Sequence, residues 1–185
     1  MLDLKQVDKS WTLFLDRDGV LNHDKEGSYI FHAGEFAFYD GVLEAMKSFN
    51  HLFGKIIVVT NQRGVGKGLM SETDLAEIHH AMQSEVEAAG GRIDAIYYAT
   101  SPDNHHPERK PWPGMAHRAK ADFPQIDFGK SIMVGNNISD MEFARNAGMH
   151  AVFLRTTQPD LPLPHPFIDL AFNSLLKFSL ALAAP

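Results

Sequence analysis

Leu13-Phe14-Leu15-Asp16-Arg17-Asp18-Gly19-Val20 is the stretch on which the reading of this chain turns. An apolar run after Thr12 ends abruptly in two acidic residues one position apart, followed by a glycine. The run reads as a buried β-strand. Side chains alternate along a strand, so Asp16 and Asp18 would share a side only if the strand continued past Leu15. Gly19 indicates that the backbone turns sharply there instead. Two carboxylates on a tight loop, at the carboxyl end of a buried strand, suit a divalent cation and the anion it attracts. Phosphate chemistry is the first expectation.

Outward from this strand, strand-like and helix-like segments alternate. Asp40 offers an N-cap to a helix with Val42, Leu43, Met46 and Phe49 on one face, ending near Gly54. Lys55 to Thr60 reads as a second strand. Ser71-Glu72-Thr73-Asp74 resembles a capping box opening a helix with Leu75, Ile78, Met82 and Val86, stopped by Gly90-Gly91. Ala95 to Ala99 is a third strand, and Pro113 begins a helix running to about Ala121. Ser131 to Val134 is a fourth strand, Met141 to Ala147 a short helix and His150 to Leu154 a fifth strand. Leu175 to Leu182 is a candidate terminal helix. Repeated βα units predict an α/β fold: a three-layer α/β/α, Rossmann-like arrangement around a central parallel sheet. The 185 residues are expected to form one domain.

Composition narrows the function classes. The formal net charge of −6 argues against nucleic acid as a partner, which calls for a basic surface. The chain has no cysteine, which removes disulfides, thiolate zinc sites and cysteine nucleophiles and fits a reducing compartment. No apolar run approaches a membrane span, and the first residues lack a signal-peptide pattern, so a cytoplasmic protein without a membrane partner is expected. Oligomeric state is not legible, and a monomer is the default.

In doubly wound sheets ligands bind beyond the carboxyl ends of the strands, so the polar residues there carry the chemistry. Asp16 and Asp18 follow the first strand, and Thr60-Asn61-Gln62-Arg63 end the second. Arg109-Lys110 lie on the loop after the third, and Gly135-Asn136-Asn137-Ile138-Ser139-Asp140 follow the fourth. These supply carboxylates for a metal, hydroxyl and amide donors for phosphate oxygens, and cations. Gly64-Val65-Gly66-Lys67-Gly68 lacks the ending of a P-loop and reads as a flexible turn carrying one cation. His79-His80 and His105-His106 have no ligand spacing and read as surface histidines, the second pair nearer the expected site.

The order of these motifs resembles the haloacid dehalogenase (HAD) superfamily of phosphatases, over roughly Thr12 to Arg155. The pieces are Asp-Arg-Asp-Gly-Val-Leu-Asn, Val-Val-Thr-Asn-Gln-x-Gly-Val-x-Lys-Gly, Ile-Tyr-Tyr, Arg-Lys-Pro-x-Pro-Gly-Met and Asp-Met-x-x-Ala-x-x-Ala-Gly. Their details are similar to the bacterial D-glycero-D-manno-heptose-1,7-bisphosphate phosphatases and their histidinol-phosphatase relatives. The resemblance implies that Asp16 is the nucleophile, Asp18 the general acid and base, Thr60 a phosphate ligand and Lys110 a neutralising cation. It implies Mg²⁺ held by Asp16, the Asp18 carbonyl, Asn136 and Asp140. Arg63 and Arg109, with Asn61, Gln62, Lys110 and Lys67, are placed to contact a small phosphorylated metabolite. Asp24, Glu26 or Asp103 would suit an amine on the substrate.

The chain departs from the family pattern twice. The fourth motif has Gly135-Asn136 where Gly-Asp is usual, removing one negative charge from the metal site. Where the heptose-bisphosphate enzymes commonly have a Cys/His zinc loop, this chain has Ser101-Pro102-Asp103-Asn104-His105-His106-Pro107-Glu108, so structural zinc is not expected. No large cap domain fits between the motifs, which predicts an open site. The expectation is therefore a Mg²⁺-dependent phosphatase working through an aspartyl-phosphate, with a heptose bisphosphate as leading substrate. Histidinol phosphate or another sugar phosphate is the alternative within enzymes. A phosphate-binding protein with impaired turnover, and a phospho-acceptor signalling module, are the alternatives outside that class.

Overall fold

The computed structural model describes residues 2–25 and 27–184. Six strands form one parallel sheet: β1 (Thr12–Leu15), β2 (Lys55–Asn61), β3 (Ala95–Ala99), β4 (Ser131–Gly135), β5 (His150–Leu154) and β6 (Leu170–Phe172). Their order in space is β3-β2-β1-β4-β5-β6. The chain thus leaves β1 toward one edge and returns at β4 to build toward the other. Where that order reverses, the loops after β1 and β4 diverge and open a crevice.

Side-chain alternation divides the core into two layers. Leu13 and Leu15 of β1, with Ile56, Val58, Ile132, Val134, Val152 and Leu154, pack on one face against α1 (Val42–Leu52), α6 (Leu175–Ala183) and the end of α3 (Glu72–Ala88). Phe14, Ile57, Val59, Met133, Ala151 and Phe153 face the other way, against α4 (Gly114–Asp122) and α5 (Ile138–Ala147). A strand covered on both faces needs no polar alternation, which is why β1 and β4 are buried throughout. A third, smaller cluster of Ile30, Met70, Leu75 and Ile78 supports the segment between β1 and α1.

The predicted elements recur with small shifts. α3 is capped as read, with the Ser71 hydroxyl accepting from Asp74 N and the Asp74 carboxylate accepting from Ser71 N. At α1 the N-cap is Gly41 rather than Asp40, because the backbone there is left-handed at φ 77°. Of the expected flexible turn at Gly64–Gly68, the first three residues belong instead to a short helix, α2 (Arg63–Gly66), and Lys67 and Gly68 form the turn that follows it. β6 has no counterpart in the sequence reading. Among the described residues the segments flanking the site hold a 3₁₀ turn at Ala33–Glu35 and α2 and no large cap. Among the described residues no helix is long and apolar enough to cross a membrane.

Candidate active site

A cleft of about 260 Å³ opens over the carboxyl ends of β1, β2 and β4. Its lining includes Asp16, Asp18, Asp24, Thr60, Asn61, Arg109, Lys110, Asn136 and Asp140, so residues far apart in sequence converge there. Lys110 is the centre of the arrangement. Its Nζ donates to Asp16 Oδ1 at 2.8 Å, to Asp140 Oδ1 at 2.8 Å and to the Val59 carbonyl at 2.9 Å. All three ammonium protons are therefore engaged. The backbone of Lys110 is pinned by Asn61, whose Oδ1 accepts from Lys110 N at 3.1 Å and whose Nδ2 donates to Lys110 O at 3.2 Å.

Two carboxylates against one ammonium in a buried site leave a net negative charge. Burial pushes the Asp16 carboxyl up to about 7, with the Asp140 charge adding to the effect and Lys110 opposing it. Burial alone would lower Lys110, but Asp140 and Asp16 overcome it and hold the ammonium above its usual range. The other Asp140 oxygen accepts from Asn136 N at 3.1 Å and Asn137 N at 3.0 Å, which closes the start of α5.

Asp18 is turned into a different network. Arg17 grips it as a fork, with Nη2 at 2.8 Å from Oδ1 and 2.9 Å from Oδ2. Asn22 Nδ2 donates to Oδ1 and Gln62 Nε2 to Oδ2, each at 2.9 Å. Burial would raise this carboxyl, but Arg17 and the side-chain donors outweigh it and hold it below the ordinary carboxylate range. Gln62 also donates to Thr60 Oγ1 at 2.9 Å, leaving the Thr60 proton for an oxygen in the cleft. Gln62 thus orders Asp18 and Thr60 and faces the adjoining cavity rather than the main cleft. Arg109 lines the cleft with a buried Nη1 that has no partner. Burial, and then the charge of nearby Arg63, lower the Arg109 pKa, and the Arg63 guanidinium is itself tied to Asn104. Lys67 is exposed and hydrogen-bonded to the Tyr29 hydroxyl. Asp103 is exposed on its loop, and Glu26 lies outside the described residues.

Arg17, Asn22 and His79 are site residues that the sequence reading misses. Arg17 is 1% exposed. His79 is buried too, correcting its reading as a surface residue, whereas His80 is exposed. Its place one turn from both Leu75 and Met82, on the apolar stripe of α3, is the available signal. His79 Nε2 lies 3.3 Å from Arg17 Nη1 and accepts its proton as a neutral imidazole. Burial, and then the Arg17 charge, push His79 down to about 3.

This opposes Asp16 in its effect on stability. Below pH about 6.5 the unfolded imidazole binds a proton that the folded one does not. Stability therefore falls with pH toward 3, by up to about 1.4 kcal/mol per unit. Without metal, Asp16 does the reverse: the folded carboxyl takes its proton near pH 7, the unfolded one near 3.8. Over the shared window the two slopes offset each other. His79→Gln should expose the Asp16 slope, so that its urea midpoint in chelator climbs between pH 6.5 and 4.5 relative to the parent protein. Parallel curves would mean that His79 is not held neutral.

Comparison with known proteins agrees with this geometry. The HAD-hydrolase-like family model matches residues 108–163. The D-glycero-alpha-D-manno-heptose-1,7-bisphosphate 7-phosphatase of Mycobacterium tuberculosis is 35% identical over 176 residues, 92% of this chain and 90% of that protein. The chain belongs to this HAD phosphatase family. It is accordingly a phosphoric monoester hydrolase by descent. The D-glycero-beta-D-manno-heptose-1,7-bisphosphate 7-phosphatase of Escherichia coli K12 is 34% identical, over 88% of each chain. The crystal structure of the D,D-heptose 1,7-bisphosphate phosphatase of B. bronchiseptica, complexed with magnesium and phosphate, superposes with a TM-score of 0.84 at 25% identity, covering 94% of this chain and 98% of that one.

The donor set of this member of the family fits a hard divalent cation. Asn136 is 2% exposed, and its Oδ1 is buried with no hydrogen-bond partner. A buried carbonyl oxygen left free beside two carboxylates is a ready oxygen ligand. Among the described residues no group of three or more His, Cys, Asp or Glu side chains is placed to hold a metal ion, so any site here draws on the Asn136 amide or on backbone oxygens as well.

Proposed function

We propose that this protein hydrolyses the 7-phosphate of D-glycero-D-manno-heptose 1,7-bisphosphate, using Mg²⁺ and an aspartyl-phosphate on Asp16. The observation that carries the reading is the Lys110 ammonium joined to both Asp16 and Asp140, in the crevice where β1 and β4 diverge. Lys110 fixes one Asp16 oxygen and leaves the other for attack on phosphorus. As that bond forms, the bond from phosphorus to the leaving alcohol oxygen breaks. Asp18 supplies the proton to that oxygen, and later removes one from the water that cleaves the acyl phosphate. Its network with Arg17, Asn22 and Gln62 favours the ionised form, so the acid step requires the carboxyl to turn from Arg17 and take up a proton.

Thr60 and the surrounding amides bind phosphoryl oxygens. Mg²⁺, held by Asp16, the Asp18 carbonyl and Asn136, with Asp140 completing the set directly or through water, would shield the nucleophile from phosphate repulsion and draw charge from the transferring group. The half-buried Arg109, whose Nη1 is buried without a partner, and the nearby Arg63 charge favour a second anionic group over an amine, hence a bisphosphate over histidinol phosphate. The cysteine-free chain fits a cytoplasmic enzyme, and a monomer with a small-molecule substrate is sufficient for this chemistry.

Steady-state phosphate release at millimolar Mg²⁺ tests the reading. The panel is the α and β anomers of heptose 1,7-bisphosphate, histidinol phosphate and fructose bisphosphate, since the relatives named above include both anomers. One heptose anomer should exceed the other substrates at least about tenfold in kcat/KM, a difference of about 1.4 kcal/mol in transition-state binding. A higher rate on histidinol phosphate would replace the substrate. No turnover on any of them would leave a phosphate-binding protein.

A further inference from the structure

Three consecutive residues on the loop after β5 reach back to the cleft. Thr156 Oγ1 donates to the Gly19 carbonyl at 2.5 Å, Asn136 Nδ2 donates to Thr157 Oγ1 at 2.8 Å, and Gln158 Nε2 donates to Asn137 Oδ1 at 2.9 Å. Gly19 and Asn136 are themselves in close contact. A Cβ at Gly19, whose φ is 81°, would lie 2.1 Å from Asn136 Nδ2. The Asn136 side chain is therefore wedged between the loop after β1 and Thr157, with Oδ1 left free.

An amide, unlike a carboxylate, is chemically two-sided. Only its oxygen can ligate a cation, and its NH₂ must find an acceptor when buried. Thr157 provides that acceptor on the side away from the free oxygen. Without the hydroxyl, the amide would satisfy its NH₂ best by turning it to water in the cleft, which points donors at the place a cation needs an oxygen.

We propose that Thr157 is a positioning residue for the metal: its hydroxyl, by accepting from Asn136 Nδ2, lets an uncharged side chain present Oδ1 where the family usually has a carboxylate. The inference rests on the reading of Asn136 as a Mg²⁺ ligand. A carboxylate at the same place would not need the hydroxyl, because either oxygen serves.

The test measures Mg²⁺ affinity of the substrate-free protein from the rise in melting temperature with Mg²⁺ alone. Thr157→Val should weaken binding about tenfold, the lower end for loss of a partner behind a metal ligand, and Thr157→Ala likewise. Thr157→Ser, which keeps the hydroxyl, should stay within about twofold of the parent. Asn136→Asp should bind more tightly, and adding Thr157→Val to it should change affinity by less than about twofold. If Thr157→Val costs as much in the Asn136→Asp background as in the parent protein, its role is structural and the proposal is overturned. No loss in Thr157→Val or Thr157→Ala would overturn it too. Asn136→Ala separates the two levels. If it leaves Mg²⁺ affinity unchanged, the metal reading itself fails. If it weakens binding while the Thr157 variants do not, only the positioning role fails.

Discussion

Asp16→Asn should cost at least about 10⁴-fold in kcat while raising the melting temperature in metal-free buffer at pH 8. The amide nitrogen and oxygen cannot replace the attacking carboxylate, so turnover falls to what binding and the remaining groups supply. Stability should move the other way. Burial holds the Asp16 carboxyl near 7, so at pH 8 the folded protein carries an ionised group that its surroundings disfavour. Removing that charge leaves Lys110 matched one-to-one with Asp140. The gain should shrink progressively as pH falls from 7, where the folded parent protein begins to protonate Asp16, and be gone near 3.8, where the unfolded chain is protonated as well. A variant with parental turnover would remove Asp16 as the nucleophile. One with a lower melting temperature at pH 8 would mean that the Lys110–Asp16 pair is net stabilising.

Lys110→Met should be the most destabilising single change in the site, by about 3–5 kcal/mol at pH 8, because it leaves two buried carboxylates with no cation. The Val59 carbonyl loses its partner in the same step. The deficit has a defined pH dependence. Without Lys110 the buried pair takes up a proton more readily, so the folded state binds protons that the unfolded state does not, and the loss should shrink as pH falls from 8 to 5. Urea unfolding at the two pH values checks this, and an equal deficit at both would mean that packing rather than charge is lost. Turnover should fall by about 10³-fold even where the variant is folded, since the charge facing the transferring phosphoryl group goes with the ammonium.

Much of this arrangement is legible because phosphate-handling α/β chains put their chemistry immediately after strands. Asp16, Thr60 and Asn136 follow apolar runs, and Ala95–Ala99 and His150–Leu154 coincide with the observed strands. β6 escapes because three partly buried residues at a sheet edge carry little periodicity, and its pairing depends on β5. α2 escapes because its glycines read as breakers, although Gly66 sits where the Thr100 carbonyl leaves no room for a side chain and Gly64 packs closely on Tyr29. The deeper omission is Arg17. A charged residue between two aspartates looks solvent-facing, and only the three-dimensional pairing with Asp18 and His79 makes its burial intelligible. Asn61 and Gln62 read from the sequence as phosphate donors. Their side chains also hold Lys110, Thr60 and Asp18 in place, a role that spacing along a strand does not carry.

The small cluster of Ile30, Met70, Leu75 and Ile78 stands apart from the two layers that flank the sheet. Its member Ile30 lines the cavity adjoining the cleft beside Lys25, Ser28 and Tyr29, whereas Asp16 follows β1 and Lys110 is bonded to it and to the Val59 carbonyl of β2. The outer rim of that cavity is thus packed on a cluster of its own, apart from the strands that carry Asp16 and hold Lys110. Substitutions in that rim would therefore leave the strands that align Asp16 and Lys110 undisturbed, so its chemistry is free to drift while the reacting groups stay fixed.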